Sequence, residues 1–383
     1  MFTVGIPKEI KALEKRVGLT PQAVGELRRQ KIRVLVQSGA GEGSHYSDEQ
    51  YKAKGAQIVP DAKSVYRQAN LIQKVKEPQP PEFGLLHKDQ ILFSFLHLAS
   101  PAQREVVHAL KQSGVTAIGY ETVEKKGLVP LLAPMSEIAG GLSAGYAGFF
   151  HERKFLKMKK ENYPSNLIEE LEAIARVYPE APKNLKIGNV VIFGGGSAGK
   201  RAMEIALQMK GHVTLIEKDS RRLKDLRIKM KKTKGIEFCA PEERLETAYA
   251  KADVFIGCVH VPGHKALHIL SRDHFKKVCA RKKKIIMDVA IDQGGNFPES
   301  RVTQYPDPVY VDSYGNLRFG VTNIPSLCGK GATEALSRRT VVYTIAMAKN
   351  FEEALWQFPE LVPGINVIEG RVVHPAVIQA HPQ

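Results

Sequence analysis

The sequence predicts an α/β protein of two doubly wound domains with a cleft between them, the first domain being discontinuous. Three observations carry this prediction. Short apolar runs alternate with helical patterns, the signature of parallel sheets covered on both faces. A glycine run, Gly194-Gly195-Gly196-Ser197-Ala198-Gly199, follows directly on the apolar Val190-Val191-Ile192-Phe193 and opens a helical stretch. Finally, 383 residues exceed what one ordinary core accommodates.

In the first module, Thr3–Ile6 and Ile32–Val36 read as strands. Between them Thr20 is placed to cap a helix that has Pro21 at its first position and runs to about Gln30. Ser47 and Gln50 have the spacing of a capping box. Strands follow at Gln57–Val59, Leu71–Val75, Ile91–Leu96 and Val115–Gly119, with a helix from Pro101 to about Gln112. A long helix begins near Ser136 and passes Phe150. Its run of Ala139, Gly140, Gly141, Ser143, Ala144, Gly145, Ala147 and Gly148 lowers helix propensity but permits close backbone packing, which suits a bridge between domains. The charged stretch Lys154–Lys186 reads as surface structure. In the second module Lys200–Lys210 is helical and Gly211 closes it. Strands follow at Val213–Ile216, Asp253–Cys258 and Lys284–Val289. From Ile324 a polar, glycine-containing segment leads to a helix from about Thr333 to Phe358, and this tail is expected to return to the first domain.

The composition, 43% hydrophobic and 25% charged, is that of a soluble globular protein. No apolar run approaches the roughly 20 residues of a spanning helix, and the N-terminus lacks the pattern of a signal peptide; a cytoplasmic location is expected. Cys239, Cys258, Cys279 and Cys328 are widely spaced and read as reduced thiols, with no metal site. The net charge of +16 comes from local runs at Arg153–Lys160, Lys229–Lys234 and Lys276–Lys284. None has interleaved aromatics in a stacking pattern, so they read as solvated faces and not as a nucleic-acid site.

The glycine run gains weight from its setting. It follows a strand, opens a helix, and a second strand ends 18 residues later in Glu217, which is the Rossmann dinucleotide unit. Gly194 would serve the tight turn, Gly196 the approach of a pyrophosphate, and Gly199 close helix packing. The amides of Ser197 and Ala198 lie at the helix N-terminus, where a phosphate is favoured. Glu217 would accept from ribose hydroxyls and repel a 2′-phosphate, favouring NAD, although Arg222 nearby could accommodate one. Downstream, Val289-Ala290-Ile291-Asp292-Gln293-Gly294-Gly295 places an acid at the end of an apolar run.

Taken together, the chain resembles the alanine dehydrogenase family, related to the nucleotide-binding part of proton-translocating transhydrogenase. The resemblance rests on segments in family order: those opening at Gly5, Arg16 and Lys74, then Ile91 to His97-Leu98-Ala99, Pro134-Met135-Ser136-Glu137, Val261-Pro262-Gly263 and Val289 to Gly295. It implies NAD-dependent, reversible oxidative deamination of a small L-amino acid to its 2-oxo acid and ammonia, by a homo-oligomer, commonly a hexamer. It implies a substrate domain of residues 1–133 with 326–383, and an NAD-binding domain of residues 134–325. Arg16 matches the ligand of the substrate carboxylate, for which a guanidinium fork is suited. Lys74 matches the lysine at the oxo or amino end of the substrate. His97 and Asp292 match the catalytic pair, and imidazole chemistry near neutrality suits proton transfer. Ser136 matches a cofactor-phosphate contact, and otherwise reads as a helix cap. Val259, Val289 and Asn323 match the lining of the cofactor pocket.

Two segments depart from the family pattern. Lys154–Lys186 replaces a glycine-rich stretch, and Asn323-Ile324-Pro325 is followed by Ser-Leu-Cys-Gly-Lys-Gly-Ala-Thr in place of a Gly-Ala-Val-Pro-Arg-Thr-Ser-Thr-like run. The second leaves substrate identity and domain closure open. The alternatives are an opine- or saccharopine-type dehydrogenase, a transhydrogenase-like subunit, and a catalytically silent NAD-binding regulator.

Overall fold

The structure, a computed structural model, describes residues 1–243, 245–259 and 266–382. The Val261-Pro262-Gly263 segment lies outside them. The chain divides into two compact units, Met1–Met135 with Cys328–Gln383, and Ser136–Leu327. Both are α/β units built on a mostly parallel sheet.

The first unit opens with β1 (Thr3–Ile6), α1 (Pro21–Arg29), β2 (Arg33–Gln37), α2 (Asp48–Ala53), β3 (Gln57–Val59), α3 (Ala62–Gln68), β4 (Leu71–Gln73), β5 (Ile91–Ser94), α4 (Arg104–Ser113) and β6 (Thr116–Gly119). These six strands are parallel and lie in the order β3-β2-β1-β4-β5-β6. The order reverses between β1 and β4, which makes their carboxyl ends a topological switch point. Local chemistry accounts for the helix starts. The Thr20 hydroxyl accepts from Ala23 N at 3.2 Å with Pro21 following, and Ser47 and Gln50 form a reciprocal capping box. The chain from Pro101 first makes a short 3₁₀ turn, so α4 starts only at Arg104. Helix α3, absent from the sequence expectation, is two turns long and is capped by Asp61. Its Val65 and Tyr66 join the core with Ile72, Leu92, Leu110 and Val367.

The unit boundary falls within the first turn of α5 (Ala133–Glu152). The helix therefore starts before Ser136, which sits inside the first turn and is not its N-cap. The segment expected as charged surface contains a further helix, α6 (Leu167–Val177), with Leu171, Ile174 and Ala175 buried and Glu169 and Glu170 in its first turn. Then follow β7 (Asn189–Phe193), α7 (Ser197–Gln208), β8 (His212–Ile216), α8 (Ser220–Lys229), β9 (Ile236–Cys239), α9 (Glu246–Lys251), β10 (Val254–Gly257), α10 (Arg272–Arg281), β11 (Ile285–Asp288), β12 (Val309–Val311) and β13 (Leu317–Phe319). The sheet order is β9-β8-β7-β10-β11-β13-β12, all parallel except for β12. Its switch point lies between β7 and β10. The small residues of α5 do allow close approach: a Cβ on Gly140 would lie 2.0 Å from the Ala198 carbonyl oxygen. One lysine of the basic runs is not on a solvated face. Lys284 is buried, donates to Ala252 O at 3.0 Å and lies over the Phe255 ring, and burial pushes its pKa down to about 8.

The tail completes the first unit with α11 (Gly329–Lys349), α12 (Phe351–Gln357), β14 (Ile365–Ile368), β15 (Arg371–Val372) and α13 (Pro375–Ala380). The single helix expected over 333–358 is two. Asn350 adopts an extended backbone that ends α11, and its side chain caps α12 by accepting from Glu353 N at 3.2 Å. Strand β14 pairs antiparallel with β6, and β15 with β14. Among the described residues no helix is long and apolar enough to cross a membrane.

Candidate functional site

In the first unit the chemistry gathers where four neighbouring parallel strands end. Glu9 follows β1, Lys74 to Glu77 follow β4, His97 follows β5 and Glu121 follows β6. Hydrogen bonds stitch these ends together. Glu9 accepts from Val75 N at 2.6 Å, Phe95 N donates to Val75 O at 3.0 Å, and Glu121 accepts from His97 N at 2.6 Å. Glu121 also accepts from Leu96 N, so one carboxylate fixes the backbone on which the imidazole hangs. His97 itself holds φ 51°, a left-handed conformation that costs energy for a residue with a Cβ. Its ring stacks on Phe95 at 5.8 Å. Burial first, and then the positive charge of Lys76, push the imidazole down to about 3; Lys11 and Arg16 act in the same sense and Glu77 against it. The ring is therefore neutral at physiological pH, the form that takes up a proton.

Lys74 is not where the resemblance put it. The side chain is fully buried, with Nζ 2.7 Å from Glu82 and 3.3 Å from Glu9. Glu82 in turn accepts from the Tyr66 hydroxyl at 2.9 Å and from Gln79 N at 2.9 Å. Burial opposes the charge on Lys74, but the two carboxylates outweigh it and hold the pKa above the ordinary lysine value. Such an ammonium is a structural cation. The lysine whose charge acts on His97 is Lys76, two residues on, past a bend that follows β4. It stands 3.7 Å from Glu77, which is itself bridged to Lys11 at 2.5 Å and held down to about 2; burial opposes that shift, and the charges of Lys76 and Lys11 overcome it.

Arg16 is also buried, and its guanidinium is already engaged. Nε and Nη2 meet the two oxygens of Glu14 at 2.6 and 2.5 Å, and Nη1 points to Met135 Sδ at 3.2 Å. The atypical segment after Pro325 braces this loop. Thr333 accepts from Val17 N at 3.1 Å and lies 2.8 Å from Ser44 Oγ, while Ser337 accepts from Thr20 N at 3.1 Å. A Cβ on Gly329 would lie 2.4 Å from Gly43 O, so a helix turn with no side chain is what fits there.

In the second unit the glycine turn leaves β7 and enters α7, whose N-cap is Gly196. A Cβ on Gly199 would fall 1.8 Å from Gly194 O, so close packing of the turn on the helix requires glycine. A Cβ on Gly196 would meet nothing within 4 Å. The protein itself has no use for a glycine there, whereas a phosphate approaching the first-turn amides does. The residues therefore fit a dinucleotide. Glu217, at the end of β8, accepts from Gly195 N at 2.8 Å and Asp219 N at 2.8 Å, and Arg222 reaches it at 3.0 Å. The acid expected for the ribose thus also pins the glycine turn. Across the switch point, Val259 follows β10 and Val289 follows β11. Asn296, which the sequence reading passed over, accepts from Val259 N and donates to Val259 O. Its own N–H is held by Asp288, a carboxylate bonded also by Ser300. Asp292 lies exposed on the short turn Ile291–Gln293, directly after β11. His97 and Asp292 belong to different units. Asn323 caps a turn by accepting at its carbonyl from Ser326 N at 3.0 Å.

Comparison with known proteins decides what this arrangement belongs to. Residues 5–139 match the family Alanine dehydrogenase/PNT, N-terminal domain, and residues 181–375 match Alanine dehydrogenase/PNT, C-terminal domain. The chain belongs to the alanine dehydrogenase/PNT family. It is 37% identical to an alanine dehydrogenase of Methanococcus maripaludis over 99% of this chain and 96% of that one. It is 36% identical to an alanine dehydrogenase of Bacillus subtilis over 98% of this chain and 93% of that one. A solved L-alanine dehydrogenase superposes with a TM-score of 0.84 at 36% identity, covering 99% of each chain. A transhydrogenase of Sinorhizobium meliloti shares the fold, with a TM-score of 0.71 at 19% identity over 98% of this chain and 99% of that one. In a member of this family the two switch points carry distinct chemistry. The first gathers ion-paired side chains around a neutral imidazole, and the second presents bare helix amides beside an acid.

Proposed function

We propose that the chain catalyses the NAD-dependent, reversible oxidative deamination of L-alanine to pyruvate and ammonia. The observation that carries this reading is identity of more than a third, over nearly the whole length, with proteins named alanine dehydrogenase. The unit of Met1–Met135 with Cys328–Gln383 would hold the oxo acid, and Ser136–Leu327 the dinucleotide. Gly194, Gly196, Ser197, Ala198 and Gly199 receive the pyrophosphate, with Ser136 a further phosphate contact. Glu217 and Arg222 receive the ribose, and Val259, Val289 and Asn323 line the nicotinamide side. When bound, NADH supplies the hydride in the direction of amination.

In that direction pyruvate, ammonium, NADH and a proton give L-alanine, NAD and water. Arg16 meets the substrate carboxylate, and Glu14, paired with Nε and Nη2, fixes the orientation of the guanidinium. Lys76, not Lys74, sits at the carbonyl oxygen and draws charge from it. Neutral His97 and the carboxylate of Asp292 take and return the protons that move as ammonia adds and water leaves. The test is NADH oxidation with ammonium and a panel of oxo acids including pyruvate and glyoxylate. Turnover with pyruvate is the expected result. Turnover only when lysine or ornithine replaces ammonium would make the chain an opine- or saccharopine-type dehydrogenase. Tight NADH binding without turnover on any partner would make it a regulator.

A further inference from the structure

We propose that Glu9 is a positioning residue for this reaction, holding the Val75–Lys76 backbone against the end of β1 so that Lys76 is presented to the substrate. The proposal rests on the reading of Lys76 given above. Its geometry is a chain of contacts across the switch point. Glu9 Oε1 accepts from Val75 N at 2.6 Å and from Lys76 N at 3.4 Å, so one carboxylate oxygen serves two successive amides just past β4. The other oxygen lies 3.3 Å from Lys74 Nζ, and Lys74 is anchored at 2.7 Å by Glu82. Tyr66 and Gln79 complete the partners of Glu82. Lys74, whose sequence position suggested a role with substrate, acquires a different one here: its buried ammonium keeps a carboxylate in place behind the segment that carries the working lysine.

The charges around Glu9 do not cancel. Lys74 faces two carboxylates, Glu9 and Glu82; Glu14 adds a third and Arg16 an opposing charge, with the Tyr66 and Tyr120 hydroxyls nearby. Burial, followed by repulsion from Glu14 and Glu82 against the pull of Lys74, raises Glu9 to about 7. The anion is the form that binds the two amides more strongly. As pH falls from 8 to 6 the anionic fraction of a group of pKa about 7 drops by about tenfold, and the hold on Lys76 weakens with it.

The experiment measures kcat and KM for pyruvate in the wild type, Glu9→Ala and Glu9→Gln between pH 6 and 9, with thermal unfolding of each. Glu9→Ala is expected to lose about 10- to 100-fold in kcat/KM for pyruvate, as removal of a charged acceptor from two amides does, with KM for NADH unchanged. Glu9→Gln keeps the acceptor oxygen and is expected to recover most of that loss. The ratio of its kcat/KM to that of the wild type should rise severalfold from pH 8 to pH 6, because the amide does not titrate. Wild-type kcat/KM in Glu9→Ala, or a ratio that stays flat with pH, overturns the proposal. Should Glu9→Ala fail to fold, the pH ratio of Glu9→Gln decides alone. A wild type inert toward pyruvate removes the reading of Lys76 and this proposal with it, which separates that outcome from failure of the proposal alone.

Discussion

Replacing Gly140 by alanine tests whether the long helix α5 sets the position of the dinucleotide amides. The added Cβ would lie 2.0 Å from Ala198 O, 2.6 Å from its carbonyl carbon and 2.7 Å from its Cα, where real side-chain carbons stay beyond about 3.0 Å. Every one of these atoms is backbone, so relief requires moving α5 or the first turn of α7. Overpacking of this kind costs about 1–3 kcal/mol, and the better helix propensity of alanine returns about 1 kcal/mol. A net loss near 1 kcal/mol lowers the midpoint of a unit of this size by about 2–4 °C. The displaced turn carries the Ala198 and Gly199 amides, so NADH affinity should fall by about tenfold, equivalent to 1.4 kcal/mol. The control is Gly148→Ala in the same helix. There the new carbon meets Met209 Sδ at 2.8 Å and Cε at 3.1 Å, the far end of a flexible side chain, and propensity should prevail. The assay is thermal unfolding together with fluorescence titration of NADH. A Gly140→Ala protein with the wild-type midpoint and unchanged affinity, or one indistinguishable from Gly148→Ala, would refute the reasoning.

Three further outcomes follow from the same structure. Lys74→Ala removes the partner of two buried carboxylates and should lower stability by about 3–5 kcal/mol, whereas Lys76→Ala should melt near the wild type and lose at least about a hundredfold in kcat/KM for pyruvate; calorimetry and steady-state kinetics on the pair will show whether the two roles separate. Because His97 is neutral in the folded protein down to about pH 3, it contributes stability that is present above the ordinary histidine pKa and is lost as pH falls from about 6.5 toward 3. His97→Gln should flatten the acid side of the curve of melting temperature against pH, and a curve identical to the wild type would show that the imidazole is not buried as described. Glu217→Ala frees Gly195 N and Arg222 together; NADH should bind more than about tenfold more weakly, and the preference for NADH over NADPH should narrow in parallel titrations.

Legibility followed the range of the physics. Elements defined by their own residues could be read: β1, α1 with its Thr20 cap, the box at Ser47 and Gln50, and the turn from β7 into α7. Elements that exist because something distant receives them could not. Strand β14 is four residues long and forms because β6 offers an open edge. Helices α3 and α6 are short, and their apolar residues become a pattern only against the core they join. The site shows the same division. Residue types at strand ends are what the sequence offers: Arg16 follows β1, His97 follows β5, Glu217 follows β8 and the glycines follow β7. The choice between Lys74 and Lys76 could not be made from sequence, since both follow β4 and the motif contains both. Only the position of Glu82, eight residues on, shows which ammonium is consumed internally. Glu121 and Asn296 were missed because they act on backbone groups of other strands, which no spacing along the chain reveals.

The division of the first unit into two stretches of chain has a consequence for biosynthesis. Domains fold as units as they are made. The second unit is one continuous stretch and has all its strands once Leu327 has been added. The first unit, although begun earlier, cannot close its sheet until β14 and β15 arrive after the whole of the second unit, and its core waits for Val367 and Val377. Until then β6 presents an unpaired edge. The later-made unit can thus fold while the first-made unit is still incomplete, so a nascent-chain arrest series should find protease resistance appearing in residues 136–327 before residues 1–135.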